Sequence, residues 1–331
     1  MRFWILEELV EHPLSEAFVQ RVQQAGHLLD KVRAEVGKAI IGQQRLVNSL
    51  LIALLTEGHL LLEGVPGIAK TLAVNTLAKS LALDFKRIQF TPDLLPSDLI
   101  GTSIYNPKEA LFSVQKGPVF TNIVLADEIN RAPPKVQSAL LEVMQERQVT
   151  IGKETFRTGS PFFVLGTQNP IEHEGTYPLP EAQTDRFMMK VLIGYPSFEE
   201  EKKIVALASS EKRPEISPQI SPQDISFLKN VTSEIYVDEK IVDYIVKIVF
   251  ETRKPQDLLE YGASPRASIF LTAAAKAHAL LCSRGYVTPF DVKEVLHDVL
   301  RHRLVLSYEA QAQEMTPDDI IDQLVADVVV P

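Results

Sequence analysis

A short apolar run, His59-Leu60-Leu61-Leu62, leads directly into Glu63-Gly64-Val65-Pro66-Gly67-Ile68-Ala69-Lys70-Thr71. Leu72-Ala73-Val74-Asn75-Thr76-Leu77-Ala78 follows. No other stretch constrains the fold as much. It reads as a buried strand, a glycine loop, a lysine, a hydroxyl and then a helix. Glycines let backbone N–H groups turn toward one centre, and a helix N-terminus adds positive potential there, so the loop suits phosphate groups. In this order Lys70 reaches the outer phosphates of a nucleoside triphosphate, and the Thr71 hydroxyl ligates magnesium. The expected binding stretch is Gly64, Val65, Pro66, Gly67, Ile68, Ala69, Lys70, Thr71 and Leu72. One position departs from the usual pattern: alanine, at 69, stands where the second glycine is expected.

The chain around this loop alternates. Val32, Val36 and Ile40 lie four apart on one face, and residues 15–57 read as helices. Strands are expected at 59–62, 85–90, 123–126, 162–166 and 187–193, with helical stretches such as 134–145 between most of them. Apolar strands alternating with helices indicate a parallel sheet covered on both faces. Residues 102–117 and 147–158 interrupt this rhythm with short alternation and turn residues, and both read as projecting hairpins. Beyond Tyr195-Pro196 only helical periods appear. Ser264-Pro265 and Thr288-Pro289 look like N-caps followed by proline in the first helical turn. We therefore expect an α/β unit with N-terminal helices over residues 1–197 and a smaller all-helical unit over 198–331.

Bulk properties narrow the function classes. The chain has 331 residues and a formal charge of −9, which argues against a protein whose main task is coating nucleic acid. A single cysteine, Cys282, rules out an internal disulfide, fits a reducing cytoplasm and is expected in the core. The sequence contains no run of 18 apolar residues, so no membrane span is expected. The start, Met1 to Leu6, is too short an apolar stretch for a secretory signal. Histidine spacing offers no zinc motif: His297 and His302 are five apart, and His173-Glu174 lacks a second histidine. Lys153 and Arg157 on the second hairpin fit a solvated surface.

Ile123-Val124-Leu125-Ala126-Asp127-Glu128 is an apolar strand ending in two carboxylates. Such a strand delivers Asp127 to the carboxyl edge of the sheet, where ligands of open α/β sheets bind. Asp127 suits magnesium, usually through water, and Glu128 suits polarising an attacking water. An acidic pair alone also fits a helix N-cap. The phosphate loop earlier in the chain favours the nucleotide reading.

Taken together, the chain resembles the AAA+ ATPases, and within them the MoxR group. The resemblance rests on Gly64–Thr71, Phe90–Asp98, Asp127–Ala132, Thr167–Pro170, Glu174–Gln183, Asp185–Phe187 and Gly262–Ala267. These stand in the family's order across residues 63–267. Members carry alanine at the position of Ala69, whereas Thr184 stands where the group has leucine. The resemblance implies a five-stranded parallel sheet, an all-helical lid and a ring, usually a hexamer. It identifies 102–117 as the extra hairpin of the helix-2-insert proteins and 147–158 as the hairpin before the sensor strand.

Several residue roles follow from the same resemblance. Asn169 corresponds to sensor 1, which orients the attacking water; by itself it also fits a turn before Pro170. Arg186 corresponds to the arginine finger acting on a neighbour's nucleotide; by itself it also fits an ion pair with Asp185 or Glu181. Arg131 is a weaker competitor for that place. Arg266 corresponds to sensor 2 in the lid, and its expected place in a first helical turn opposes the helix dipole unless an anion faces it. Ile41-Gly42-Gln43 stands where the family packs the base, or is a plain helix–loop junction. The implied reaction is magnesium-dependent ATP hydrolysis coupled to chaperone-like remodelling or maturation of partners, often proteins with von Willebrand factor A domains. A nucleic-acid motor and an ATP-gated scaffold without turnover are the alternatives; no guanine-specifying motif is present.

Overall fold

The computed structural model describes residues 15–65, 70–108, 111–169, 175–210, 214–254 and 257–331. The first half contains α1 (Glu16–Gly37), α2 (Gln44–Thr56), β1 (Leu60–Gly64), α3 (Lys70–Ser80), β2 (Phe85–Gln89), α4 (Pro96–Ile100), β3 (Gly101–Asn106), β4 (Leu111–Lys116), β5 (Ile123–Asp127), α5 (Pro134–Glu146), β6 (Gln148–Ile151) and β7 (Glu154–Arg157). Then come β8 (Phe163–Gln168), α6 (Glu181–Thr184), β9 (Met189–Ile193), α7 (Phe198–Ala208), α8 (Pro222–Glu234), α9 (Glu239–Glu251), β10 (Leu259–Tyr261), α10 (Pro265–Leu281), α11 (Pro289–Leu300), β11 (Val305–Leu306), α12 (Tyr308–Ala312) and α13 (Pro317–Ala326).

The central sheet runs β2-β5-β8-β1-β9, and every pairing in it is parallel. Strand alternation explains how both faces are covered. Leu60 and Leu62 of β1 enter one hydrophobic cluster, and Leu61 enters the other. In β5, Ile123 and Leu125 face the first cluster while Val124 and Ala126 face the second. Each fully buried leucine contributes about 1.5–3 kcal/mol, so apolar runs of this kind hold a sheet's interior without polar help. The strands end together at the carboxyl edge: Gln89 is level with Asp127, and Gly64 with Ile193.

Both expected hairpins are present, as β3–β4 and β6–β7. They are linked by Lys116, whose ammonium lies 5.2 Å from the centre of the Phe120 ring and 4.6 Å from that of Phe156.

Beyond residue 197, periodicity predicts helices alone; the structure adds a short antiparallel ribbon, β10 with β11. Strands of three and two residues are too short to display a period of two. The N-terminal helices pack on this second unit as well as on the sheet. Val32, Leu50 and Leu54 of α1 and α2 share one cluster with Leu228 of α8 and with Leu271, Ala274 and Ala275 of α10. Alanines on α10 allow that close approach. The cluster thus runs continuously across the turn between β9 and α7. Cys282 also departs from expectation: it is exposed, because α10 ends at Leu281 and the chain turns out of the packed face there.

Candidate active site

Lys70 opens α3, directly after the loop that leaves β1. Pro66, Gly67, Ile68 and Ala69 of that loop lie outside the described residues. Lys70 Nζ donates to the Gly64 carbonyl at 2.7 Å. Burial pulls its ammonium below the ordinary lysine value, and the nearby carboxylates of Asp127, Glu128 and Glu63 pull it back. Thr71 follows, half-buried, and Leu72 is 48 % exposed. Gly64 is buried and Val65 half-buried.

Asp127 closes β5, and Glu128 stands just beyond it with φ 57 and ψ 51. A non-glycine residue in that left-handed region costs on the order of 1–3 kcal/mol, and such residues concentrate at working sites. Thr167 of β8 holds the turn. Its Oγ1 accepts the Glu128 N–H at 2.8 Å and donates to Asp127 Oδ1 at 2.6 Å. The two carboxylates are further engaged from β2. Arg87 donates to Asp127 Oδ2 through Nε at 3.0 Å and a terminal nitrogen at 2.6 Å, and Gln89 Nε2 donates to Glu128 Oε2 at 3.0 Å. Arg131 Nε lies 3.2 Å from the same Glu128 oxygen. Asn169 follows β8, half-buried at the same edge.

Ile41 and Gly42 reach this edge from the α1–α2 turn. Gly42 has φ +70, and a Cβ placed on it would lie 2.3 Å from a Glu200 oxygen. Glu200 is in the first turn of α7, a few residues past Ile193, which pairs with Gly64. Glycine at 42 therefore answers both a left-handed backbone and a close neighbour.

Arg186 and Arg266 are elsewhere. β1 carries the chain from His59 to Gly64 across the sheet, about 16 Å at roughly 3.3 Å per residue. The two arginines sit at the His59 end. With Glu57, His59, Met144, Arg147 and Phe270 they line a cleft of about 190 Å³. Arg186 donates to the Leu141 carbonyl at 3.1 Å, not to Asp185 or Glu181. Arg266, in the first turn of α10, does face an anion, but it is Asp185, 3.3 Å away, within the same chain. Asp185 also accepts from Ser264 Oγ at 2.9 Å and from Arg303 Nε at 2.9 Å. Arg303 in turn donates to the Asp185, Phe187 and Met188 carbonyls. Burial draws its guanidinium down to about 10, with Asp185 resisting and Arg266 adding to the fall. Thr184 turns its hydroxyl back to the Glu181 carbonyl at 2.9 Å.

The sheet therefore separates the expected residues into two groups. Lys70, Thr71, Asp127, Glu128, Asn169, Ile41 and Gly42 gather at the carboxyl edge; Arg186 and Arg266 gather at the amino edge. Sequence reasoning missed Arg87, Gln89 and Arg303, and quoted Thr167 without a role. Period-two alternation on β2, which puts Arg87 and Gln89 on one face, was the available signal for the first two. It also missed the meeting of His278, Cys282 and Asp291, whose potential ligand atoms lie within 4.8 Å of one another. Arg284 already bonds both Asp291 oxygens, at 2.7 and 2.5 Å. With the Thr288 N–H and hydroxyl and the His278 ring also on it, the buried Asp291 carboxylate has its acceptor sites filled by protein groups.

Comparison with known proteins gives these groups a context. The profile of the ATPase family associated with various cellular activities (AAA) matches residues 59–189, and that of the AAA lid domain matches 254–324. The chain is 52% identical over 313 residues to the chaperone MoxR1 of Mycobacterium tuberculosis, covering 92% of this chain and 83% of that one. It is 31% identical over 326 residues to protein MoxR of Paracoccus denitrificans, covering 90% and 95%. The crystal structure of a Cytophaga hutchinsonii protein assigned as an ATPase superposes with a TM-score of 0.89 at 49% identity, covering 94% of this chain and 97% of that one. With an α/β nucleotide-type core, a helical lid and full-length relatives of this kind, the chain belongs to the MoxR-type AAA+ ATPases.

Proposed function

We propose that this chain hydrolyses ATP to ADP and phosphate in a ring, of hexameric form by family resemblance, with each active site shared by two subunits. The observation that carries this reading is the separation of the two groups across the sheet. A strand's length lies between Lys70 and the arginine cleft, so Arg186 and Arg266 serve a phosphate only on another chain. Arg186 acts as the finger there and Arg266 as the lid residue beside it. The proposed domain boundary near residue 197 then places one arginine on each unit, joined through Asp185 and Arg303.

At the carboxyl edge, Lys70 and the loop amides from Gly64 to Thr71 hold the phosphates, and Leu72 continues the first helical turn. Ile41 and Gly42 flank the base. Thr71 and Asp127 hold magnesium. The donor set fits that ion: a hydroxyl and a carboxylate are hard oxygen ligands, and a carboxylate offers about four lone-pair sites, more than Thr167 and Arg87 occupy. Magnesium, when bound, neutralises charge on the outer phosphates. Glu128 accepts a proton from water as the water oxygen bonds to the γ-phosphorus. The bond from that phosphorus to the bridging oxygen breaks, and ADP leaves. Asn169 holds the water in line, and Thr167 keeps Glu128 in its left-handed turn.

Coupling to chaperone-like remodelling or maturation of a partner, with a von Willebrand factor A domain protein as candidate client, is supported by the name of the mycobacterial relative and by the family resemblance. The single cysteine and the need for ATP support a cytoplasmic setting. No helix among the described residues is long and apolar enough to cross a membrane.

Phosphate release measured over a range of protein concentrations tests the shared site. Turnover per chain should rise steeply with concentration as subunits meet. Constant turnover per chain down to concentrations where the protein sediments as a monomer would defeat the proposal.

A further inference from the structure

β2 lies at one edge of the sheet, and its register puts Gln89 level with Asp127. Arg87 and Gln89 point to the same side. From there Arg87 does three things: it donates twice to Asp127 Oδ2, and its terminal nitrogen also donates to Gln89 Oε1 at 2.8 Å. Asp127 Oδ1 is taken by Thr167. The direct charge partner of Asp127 is thus a guanidinium on a side chain that is 49% exposed, while Asp127 itself is 16% exposed.

The remaining geometry shows why this pairing has consequences. Arg87 is half in water and sits on a strand edge, so it can leave without disturbing the core. Oδ2, the oxygen it covers, takes two donations from Arg87, whereas Oδ1 takes the one from Thr167. A guanidinium and a hydrated divalent cation cannot share one carboxylate oxygen without like-charge repulsion at close range.

We propose that Arg87 is a built-in counter-cation for Asp127, which withdraws as magnesium arrives with the nucleotide and so raises the magnesium concentration the site requires. Arg87 occupies Asp127 Oδ2, keeps that carboxylate neutralised, and exchanges places with the hydrated cation. This rests on the assignment of Asp127 to magnesium made above.

Equilibrium binding of a fluorescent ATP analogue, titrated with magnesium at fixed protein, tests the exchange without relying on turnover. Arg87→Ala should lower the magnesium midpoint about five- to tenfold, the range left when a charge-assisted contact is discounted for a half-exposed pair. Its affinity for the analogue in EDTA should match that of the native chain. Arg87→Lys retains the charge and should keep a midpoint near the native one. An unchanged or raised midpoint in Arg87→Ala overturns the proposal, as does weakened binding in EDTA, which would make Arg87 a phosphate ligand. Asp127→Asn separates the two layers. If that variant keeps the native magnesium dependence, the metal assignment itself falls, whatever Arg87 does.

Discussion

The two edges of the sheet are built on opposite principles. At the carboxyl edge, carboxylates delivered at or just past strand ends, Glu63 by β1 and Asp127 and Glu128 by β5, surround Lys70 and are paired with Lys190, Arg87 and Arg131. The amino edge is dominated by cations. Among the described residues, Arg147, Arg186, Arg266, Arg303 and Lys229 lie there, and Glu57 and Asp185 form ion pairs with four of them. Burial works against the Glu57 charge, but Lys229 and Arg147 more than offset it and hold the carboxyl below its ordinary value. On the proposed reading, one edge orders a cation and phosphates, and the other presents Arg186 and Arg266 to a neighbour. On that reading, the difference teaches that a complete site takes one edge from each of two chains.

The largest expected effect is on the cationic edge. Arg186→Ala should lower kcat by about 10³-fold or more while nucleotide binding persists, because a finger acts on charge that develops in the transition state. Titration with a fluorescent ATP analogue beside a phosphate-release assay separates the two. Weakened binding with native kcat would put Arg186 in the binding edge instead. Next comes Glu128→Gln, with a loss of about 10²–10⁴-fold in turnover and retained ATP. Native turnover in that variant would remove the proton-accepting role. Lys70→Ala should weaken the analogue about 10- to 100-fold, the scale of a charge-assisted contact to phosphate. An unchanged titration would count against the loop.

A smaller effect sharpens the contrast through pH. His59 lies beneath the arginine cleft, accepting the Val164 N–H at 3.0 Å and bonding the Met144 carbonyl at 3.0 Å. Burial holds its pKa at about 4, with Arg147 adding to the fall. The unfolded histidine, with its pKa at 6.5, takes up a proton that the folded one refuses. Its contribution is therefore fully present above pH 6.5 and is lost as pH falls toward 4, at up to about 1.4 kcal/mol per pH unit. His302 acts in the same direction, its pKa pushed well below the ordinary value by burial and by Arg303. In urea melts between pH 6.5 and 4, His59→Gln should flatten the stability slope by about one proton. An identical slope would contradict the buried neutral histidine.

Most of the carboxyl edge was legible in the sequence because its parts are local. A strand of leucines, a glycine loop and a lysine are contiguous, and Asp127 follows its own apolar strand. Arg87 was not legible in this way: it reaches Asp127 only because β2 pairs with β5, across residues that carry no signal of the pairing. The amino edge was harder still. The family motif named Arg186 and Arg266, but their place depends on how Asp185, Ser264 and Arg303 meet, from three distant parts of the chain. Local periodicity says nothing about such contacts. The dipole argument for Arg266 found the right physics, since an anion does face it, yet that anion is Asp185. The short β10–β11 ribbon and the exposed Cys282 were missed for a related reason: both lie where helices end, and end effects are weaker in sequence than helical period.

The shared site is tested most directly by mixing two inactive proteins. Arg186→Ala chains keep an intact carboxyl edge, and Glu128→Gln chains keep an intact arginine edge. Mixed in equal amounts under conditions where rings form and exchange subunits, they should regain ATP hydrolysis that neither shows alone, because some interfaces then pair Glu128 with a neighbour's Arg186. Phosphate release that stays at the level of the separate variants, with mixed rings demonstrated by cross-linking, would contradict the account.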